Sequence, residues 1–196
     1  FGVTPQQHFN GLRNLLPKLR GLGILDNDGR DKQSVLDGPL KIVYWKRYEA
    51  ENYFITPDLL RRYAASQYPA DDLFAQQTQT AIDEVLDDLV LERVFDGAQA
   101  DFDVWRQASP DASRVLWEAK TERRKLSTFA EEFFRGLALR VGGGLLLRTG
   151  ELHRLVAFVP PEAIAAEVRE KLDRLAEVFP IQMSTEGVEE GRGVPA

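Results

Sequence analysis

The stretch Leu22-Gly23-Ile24-Leu25-Asp26-Asn27-Asp28-Gly29 limits what this chain can fold into more than any other. An apolar run feeds directly into two acids and a glycine, as at the end of a buried strand where the backbone must turn. On an extended backbone, side chains i and i+2 point the same way, about 7 Å apart at 3.3 Å rise per residue. Asp26 and Asp28 are therefore expected to face one small space. Two carboxylates about 4 Å apart repel by roughly 4 kcal/mol at an effective dielectric of 20. A divalent cation between them removes that penalty, and hard oxygen ligands select Mg²⁺ or Mn²⁺. The alternative is ordinary turn chemistry, which Asp-Asn-Asp-Gly also satisfies.

The rest of the chain reads as a parallel α/β arrangement. Thr4-Pro5 caps a first helix carrying Phe9, Leu12, Leu15, Leu16 and Leu19 at helical spacing, and Gly21 is expected to end it. Leu22–Leu25 then follows as a short buried strand. Residues 29–39 read as a surface loop and Leu40–Trp45 as a second strand rich in β-branched and aromatic side chains. Thr56-Pro57-Asp58 caps a helix directing Leu59, Leu60 and Tyr63 inward. A long amphipathic pattern from Asp71 to Phe95 holds Phe74, Ile82, Val85, Leu86, Leu89 and Val94. A loop is expected around 96–110, then a second long helix from about Ser113 to Leu139, broken near Glu122. These helices have no strand between them, so residues 58–140 read as a helical subdomain. Val141-Gly142-Gly143-Gly144 is a turn, Leu145–Leu147 a short buried strand, and Glu162–Phe179 a last amphipathic helix. The expected division is 1–57 and 141–184 as two parts of an α/β core, with 185–196 a flexible tail.

Composition narrows the chemistry. With no cysteine, thiolate metal sites, disulfides and cysteine nucleophiles are excluded. The net charge of −6 argues against binding nucleic acid through a globally basic surface, although local basic clusters remain, among them Lys120, Arg123, Arg124 and Lys125. His8 and His153 lack zinc-ligand spacing, and there is no serine nucleophile elbow. No apolar run is long enough to cross a bilayer, so no membrane partner is expected and the cytoplasm is the expected location. The chain opens at Phe1, and its first strand-like run is already the one before Asp26, so a longer polypeptide is expected.

A second constellation is Tyr44-Trp45-Lys46-Arg47-Tyr48-Glu49-Ala50-Glu51-Asn52-Tyr53. It leaves the strand neighbouring the first, and ligands collect at the carboxyl ends of strands in open α/β sheets. Glu51 can add a third oxygen ligand and Asn52 can cap the following helix. In the alternative reading, Glu49 and Glu51 pair with Lys46 and Arg47 on the surface.

The strand-terminal Asp26-Asn27-Asp28, followed some twenty residues later by Glu49-Ala50-Glu51-Asn52-Tyr53-Phe54, resembles the TOPRIM domain attached to ATPases of the overcoming-lysogenization-defect (OLD) family. The resemblance covers about residues 20–65, and Arg148-Thr149-Gly150-Glu151 is similar to a lysine-glycine segment of the same relatives. It implies a TOPRIM-like, mainly parallel sheet flanked by helices, with a helical insertion or subdomain. It also implies a Mg²⁺- or Mn²⁺-dependent DNA endonuclease joined to an upstream ATPase, dimeric through that ATPase and tied to phage defence. Asp26 and Asp28 transfer as metal ligands, Glu51 as a supporting residue, and Lys125, Lys120 or Arg148 as the phosphate-contacting base. The family's glutamate on the first TOPRIM strand has no counterpart and is expected upstream of Phe1. A scaffold that has lost cleavage and binds a regulatory partner is the alternative.

Overall fold

Two parallel strands, each leading into a loop that carries acids, form the sheet in the computed structural model, which describes residues 4–30, 32–68 and 75–179. The expected flexible tail 185–196, the start of the long amphipathic helix at 71–74 and its Phe74 lie outside the described residues.

Helix α1 (Pro5–Leu15) begins as its sequence dictates. The Thr4 hydroxyl accepts the Gln7 N–H, and the Gln7 side chain accepts the Thr4 N–H in return, which satisfies two end amides at once. The helix stops at Leu15, well before Gly21, which instead opens strand β1 (Gly21–Leu25). The reason is close approach: a Cβ at Gly21 would lie 2.8 Å from the Phe9 ring that packs α1 onto the sheet. β1 pairs in parallel with β2 (Leu40–Tyr44), Gly21 opposite Leu40 and Leu25 opposite Tyr44. Between them, Val35 adds a single antiparallel bridge to Ile42. All five β1 residues are half-buried, so the fully buried strand expected there is not found. Among the described residues the sheet has these two strands, and the chain is mixed α/β and mostly helical.

The helices hold the core. Helix α2 (Pro57–Ser66) is capped by Thr56 and turns Leu59, Leu60 and Tyr63 inward as expected. Against it pack α3 (Ala75–Arg93) and α6 (Leu126–Val141), whose Leu86, Val90, Phe133, Phe134 and Leu137 have no exposed surface. Burying one such side chain contributes about 1.5–3 kcal/mol. The region read as a loop at 96–110 contains helix α4 (Gln99–Gln107), which seals one end of the core with Phe102 and Trp105. The expected break near Glu122 is present. Helix α5 (Pro110–Thr121) ends there because the buried Asn52 amide donates to the Thr121 and Arg124 carbonyls, drawing the chain aside before α6 starts.

Leu145–Leu147 is not a strand. Gly142, with φ of 68°, ends α6, and only Leu147 of the three leucines is fully buried, inserted into the helical core. The following 3₁₀ segment Thr149–Phe158 adds Leu152 and Leu155 to the same core. The last helix is also shorter than expected. A 3₁₀ turn at Pro161–Ala163 precedes α7 (Ala166–Val178), which packs against β1. No helix among the described residues is long and apolar enough to cross a membrane.

Candidate metal centre

The carboxyl end of β1 is built by two loops bound to each other. The Trp45 N–H donates to the Leu25 carbonyl at 3.0 Å, the last rung of the ladder. Beyond it, Asn27 donates its side-chain amide to the Lys46 carbonyl, and the Asp28 N–H donates to the Tyr48 carbonyl at 3.0 Å. The extended geometry expected through Asp28 is not adopted. Asp28 turns into the left-handed region at φ of 52°, followed by Gly29 at 69°. An Asp tolerates this conformation better than most side chains, and glycine bears it without penalty.

What joins Asp26 to Asp28 is therefore a third residue. The Lys32 ammonium donates to the Asp26 backbone carbonyl at 3.1 Å and to Asp28 Oδ2 at 2.9 Å, and lies 5.3 Å from the centre of the Tyr44 ring. This contact holds the Asp28 carboxyl below the usual range, helped by the positive charges of Arg30 and Lys125. The Asp26 carboxylate faces the second loop, where Oδ1 accepts the Ala50 N–H at 3.2 Å. Both acids are exposed. Sequence reading missed Lys32, although a lysine four residues beyond Asp28 was the available signal.

The 44–54 segment is the frame of the site. Glu49 is buried, not a surface ion-pair residue: it accepts the Ser127 N–H at 2.5 Å and the Ser127 hydroxyl at 3.0 Å. It thereby caps the start of α6 from across the fold. Burial pushes its carboxyl up, and the two bonds from Ser127 only partly offset this. Asn52, expected to cap α2, points instead to the α5–α6 junction, and Thr56 does the capping. Arg47 pairs with Glu118 at 3.0 Å and covers the Tyr53 ring. The Tyr53 hydroxyl donates to Glu167 of α7, which also accepts the Lys46 N–H and pairs with the buried Lys171. Desolvation and that acceptor raise the Tyr53 hydroxyl well above its ordinary pKa. Trp45 packs against Tyr53 with the rings tilted at 45° and lies under Lys171.

Glu51 leaves this frame next to Ala50, half-buried; its backbone carbonyl accepts the Phe54 and Ile55 N–H groups, and its carboxylate makes no hydrogen bond or ion pair among the described residues. Its charge acts on Glu49. Of the three basic candidates, Lys125 is the one whose charge reaches the corner, acting on both Asp28 and Glu49 from the start of α6. Lys120 is directed elsewhere, paired with Asp101 at 3.3 Å and lying over Phe95. Arg148 is exposed, and no contact among the described residues links it to the corner; its N–H donates to Glu151.

No group of three or more His, Asp or Glu among the described residues is gathered closely enough to hold a metal ion. The oxygens at the corner are of the hard type, but they are not drawn together around one point. A carbonyl and a carboxylate oxygen already hold the Lys32 ammonium, while one Asp26 oxygen and the whole Glu51 carboxylate make no hydrogen bond among the described residues. No family model, curated protein or solved structure matches the chain.

Proposed function

We propose that this strand-end corner belongs to a Mg²⁺- or Mn²⁺-dependent DNA endonuclease of the TOPRIM type, carried by a longer ATPase-linked and dimeric protein of phage defence. The observation that supports this reading is the placement of Asp26 and Asp28 at the carboxyl end of a parallel strand, where the Asp26 backbone carbonyl and the Asp28 carboxylate accept from the one Lys32 ammonium. Asp26 and Asp28 would hold the cation, with Glu51 as a further oxygen donor. The cation's part, when bound, is Lewis-acid activation of water and phosphate. Lys125 supplies the positive charge for a phosphate oxygen, because its charge already falls on this corner. Glu49 and Asn52 orient these groups by locking the 44–54 segment onto the α5–α6 junction.

A divalent-cation titration with plasmid DNA tests the reading. Nicking that requires Mn²⁺ or Mg²⁺ and is lost in Asp26→Ala supports it. Glu51→Gln should weaken the metal response while leaving the folded state intact by circular dichroism. Plasmid that stays intact at every metal concentration supports the second reading, a partner-binding module that does not cleave. That reading has its own observation: Lys32 already pairs with Asp28 and occupies the oxygens there without a cation.

A further inference from the structure

We propose that the outer edge of β1 pairs with the same edge of a second copy of this chain, antiparallel about a two-fold axis at Gly23. The inference goes beyond the metal-dependent reading and does not rest on it. At the two ends of the β1–β2 ladder, the Gly21 N–H donates to Pro39 and the Leu25 carbonyl accepts from Trp45. Backbone groups alternate sides along a paired strand, so Gly21, Gly23 and Leu25 face β2, while Leu22 and Ile24 face away. The same alternation turns both backbone groups of Ile42 to Val35, on the far side of β2. Among the described residues, β2 is the one strand beside β1, and neither Leu22 nor Ile24 makes a backbone hydrogen bond on the outer side. All five β1 residues stay half-buried, whereas strands inside parallel sheets are covered on both faces.

The segment Arg20–Asp26 is complementary to itself. Turned antiparallel about Gly23, Leu22 of one copy stands opposite Ile24 of the other, and every outward N–H and C=O finds a partner. Of the antiparallel registers, this one alone pairs both outward residues of each strand. It also sets Arg20 opposite Asp26 of the second copy, on the face that carries Leu22 and Ile24. The exposed Arg20 side chain makes no hydrogen bond or ion pair among the described residues, and one Asp26 carboxylate oxygen is likewise unused. The strand itself has no charge or proline to block such an edge. Helix α1 adds apolar surface. It rests on the start of β1 through Phe9, and its Leu12, Leu15 and Leu16 are 41%, 81% and 58% exposed. The edge is short, so the dimer is expected to be weak, in the micromolar range.

Sedimentation velocity on the full chain without added metal, over a series reaching about 1 mM, tests the pairing. A concentration-dependent dimer is expected, and the Leu22 and Ile24 amides should gain protection from hydrogen exchange as it forms. Symmetry makes the Arg20–Asp26 pair twice, so Arg20→Glu and Asp26→Arg, which oppose like charges, should each weaken the dimer about tenfold. Mixed in equal amounts the two variants should recover it, because each offers the charge the other lacks. Leu22→Pro should abolish the dimer and keep the ladder to β2, since the lost N–H lies on the outer side. Circular dichroism checks the fold of each variant. A chain that stays monomeric throughout the series overturns the proposal. So does a dimer that survives Leu22→Pro, or a charge-matched mixture that fails to recover it. The exchange measurement needs no variant: a wild-type dimer with Leu22 and Ile24 unprotected overturns the proposal by itself. None of these outcomes involves metal, so they leave the metal-dependent reading to its own titration.

Discussion

The chain makes the same turn twice, at Asp28-Gly29 and at Asp96-Gly97. In both, the aspartate is left-handed, φ of 52° and 53°, and the glycine follows at 69° and 77°. In both, the carboxylate is held below its usual pKa by a basic side chain, Lys32 in one and Arg124 in the other. The Asp96 turn is a helix stop. Its backbone bonds are local, from Gly97 to Leu91 and from Ala98 to Phe95, and Arg124 grips the carboxylate with two nitrogens at 3.2 and 2.7 Å. The Asp28 turn is tied to residues far along the chain: Tyr48 accepts its N–H, and Ala50 donates to the neighbouring Asp26. An Asp-Gly turn is therefore turn chemistry wherever it occurs. What makes the first a candidate site is the second acid and the frame around it.

The largest expected effect breaks that frame. Glu49→Ala leaves the Ser127 N–H and hydroxyl without their acceptor in a buried place, at a cost of about 3 kcal/mol. Glu49→Gln should recover part of it, since its carbonyl still accepts the Ser127 N–H. Urea unfolding gives the magnitude. Hydrogen exchange should show the loss concentrated at the start of α6 and the 44–54 segment, with the Asp96 turn unchanged. Equal loss of protection at both turns would mean the frame is not specific to the first.

Next come the glycines. Alanine at either left-handed position costs about 1–2 kcal/mol from the backbone alone. A Cβ at Gly29 also meets the Tyr48 ring at 3.4 Å, whereas at Gly97 it meets open space. Gly29→Ala should therefore gain a packing contact with Tyr48 that offsets a little of the backbone cost and perturbs its ring resonances, whereas Gly97→Ala should show the full cost and leave the tyrosines unchanged. Equal and purely local effects, read by unfolding and by the tyrosine resonances, would remove the distinction.

Metal binding should tell the two turns apart. Mn²⁺ at about ten times its Kd should stabilise the wild type by about 1.4 kcal/mol, seen as a rise in Tm. Asp28→Asn should abolish most of that rise, while Asp96→Asn should keep it. A rise retained in Asp28→Asn would place the cation elsewhere.

Sequence reading reached the elements whose signals are local. The Thr4 and Thr56 caps, the two strands (the second one residue shorter than the expected Leu40–Trp45) and the break near Glu122 were legible, because caps, β-branched runs and turn residues act within a few positions. Helix α4 was hidden because its apolar face rests on Phe102 and Trp105 alone, just past the Asp96-Gly97 turn. Leu145–Leu147 misled because an apolar triplet looks the same whether it pairs in a sheet or inserts one side chain into a helical core. At the site, Asp26, Asp28 and Glu51 were legible as acids after strands. Glu49, Asn52 and Glu167 act through partners 69 to 121 residues away, and no spacing rule shows such partners.

The smallest expected effect is on pH dependence, and it separates the two turns by the strength of their grip. Asp28 and Asp96 both have a folded pKa below the ordinary 3.8. Each therefore contributes stability that is present above that value and is lost as pH falls through the lowered folded pKa. Asp28→Asn and Asp96→Asn should each flatten the acid limb of the stability curve, read by urea unfolding below and above the ordinary carboxylate pKa. Arg124 makes two bonds to its carboxylate and Lys32 only one, so the flattening should be larger for Asp96. The looser grip at Asp28 is what a cation-exchangeable corner requires. A larger effect at Asp28 would mean that Lys32 is locked in place, and the corner would then be a turn like the other.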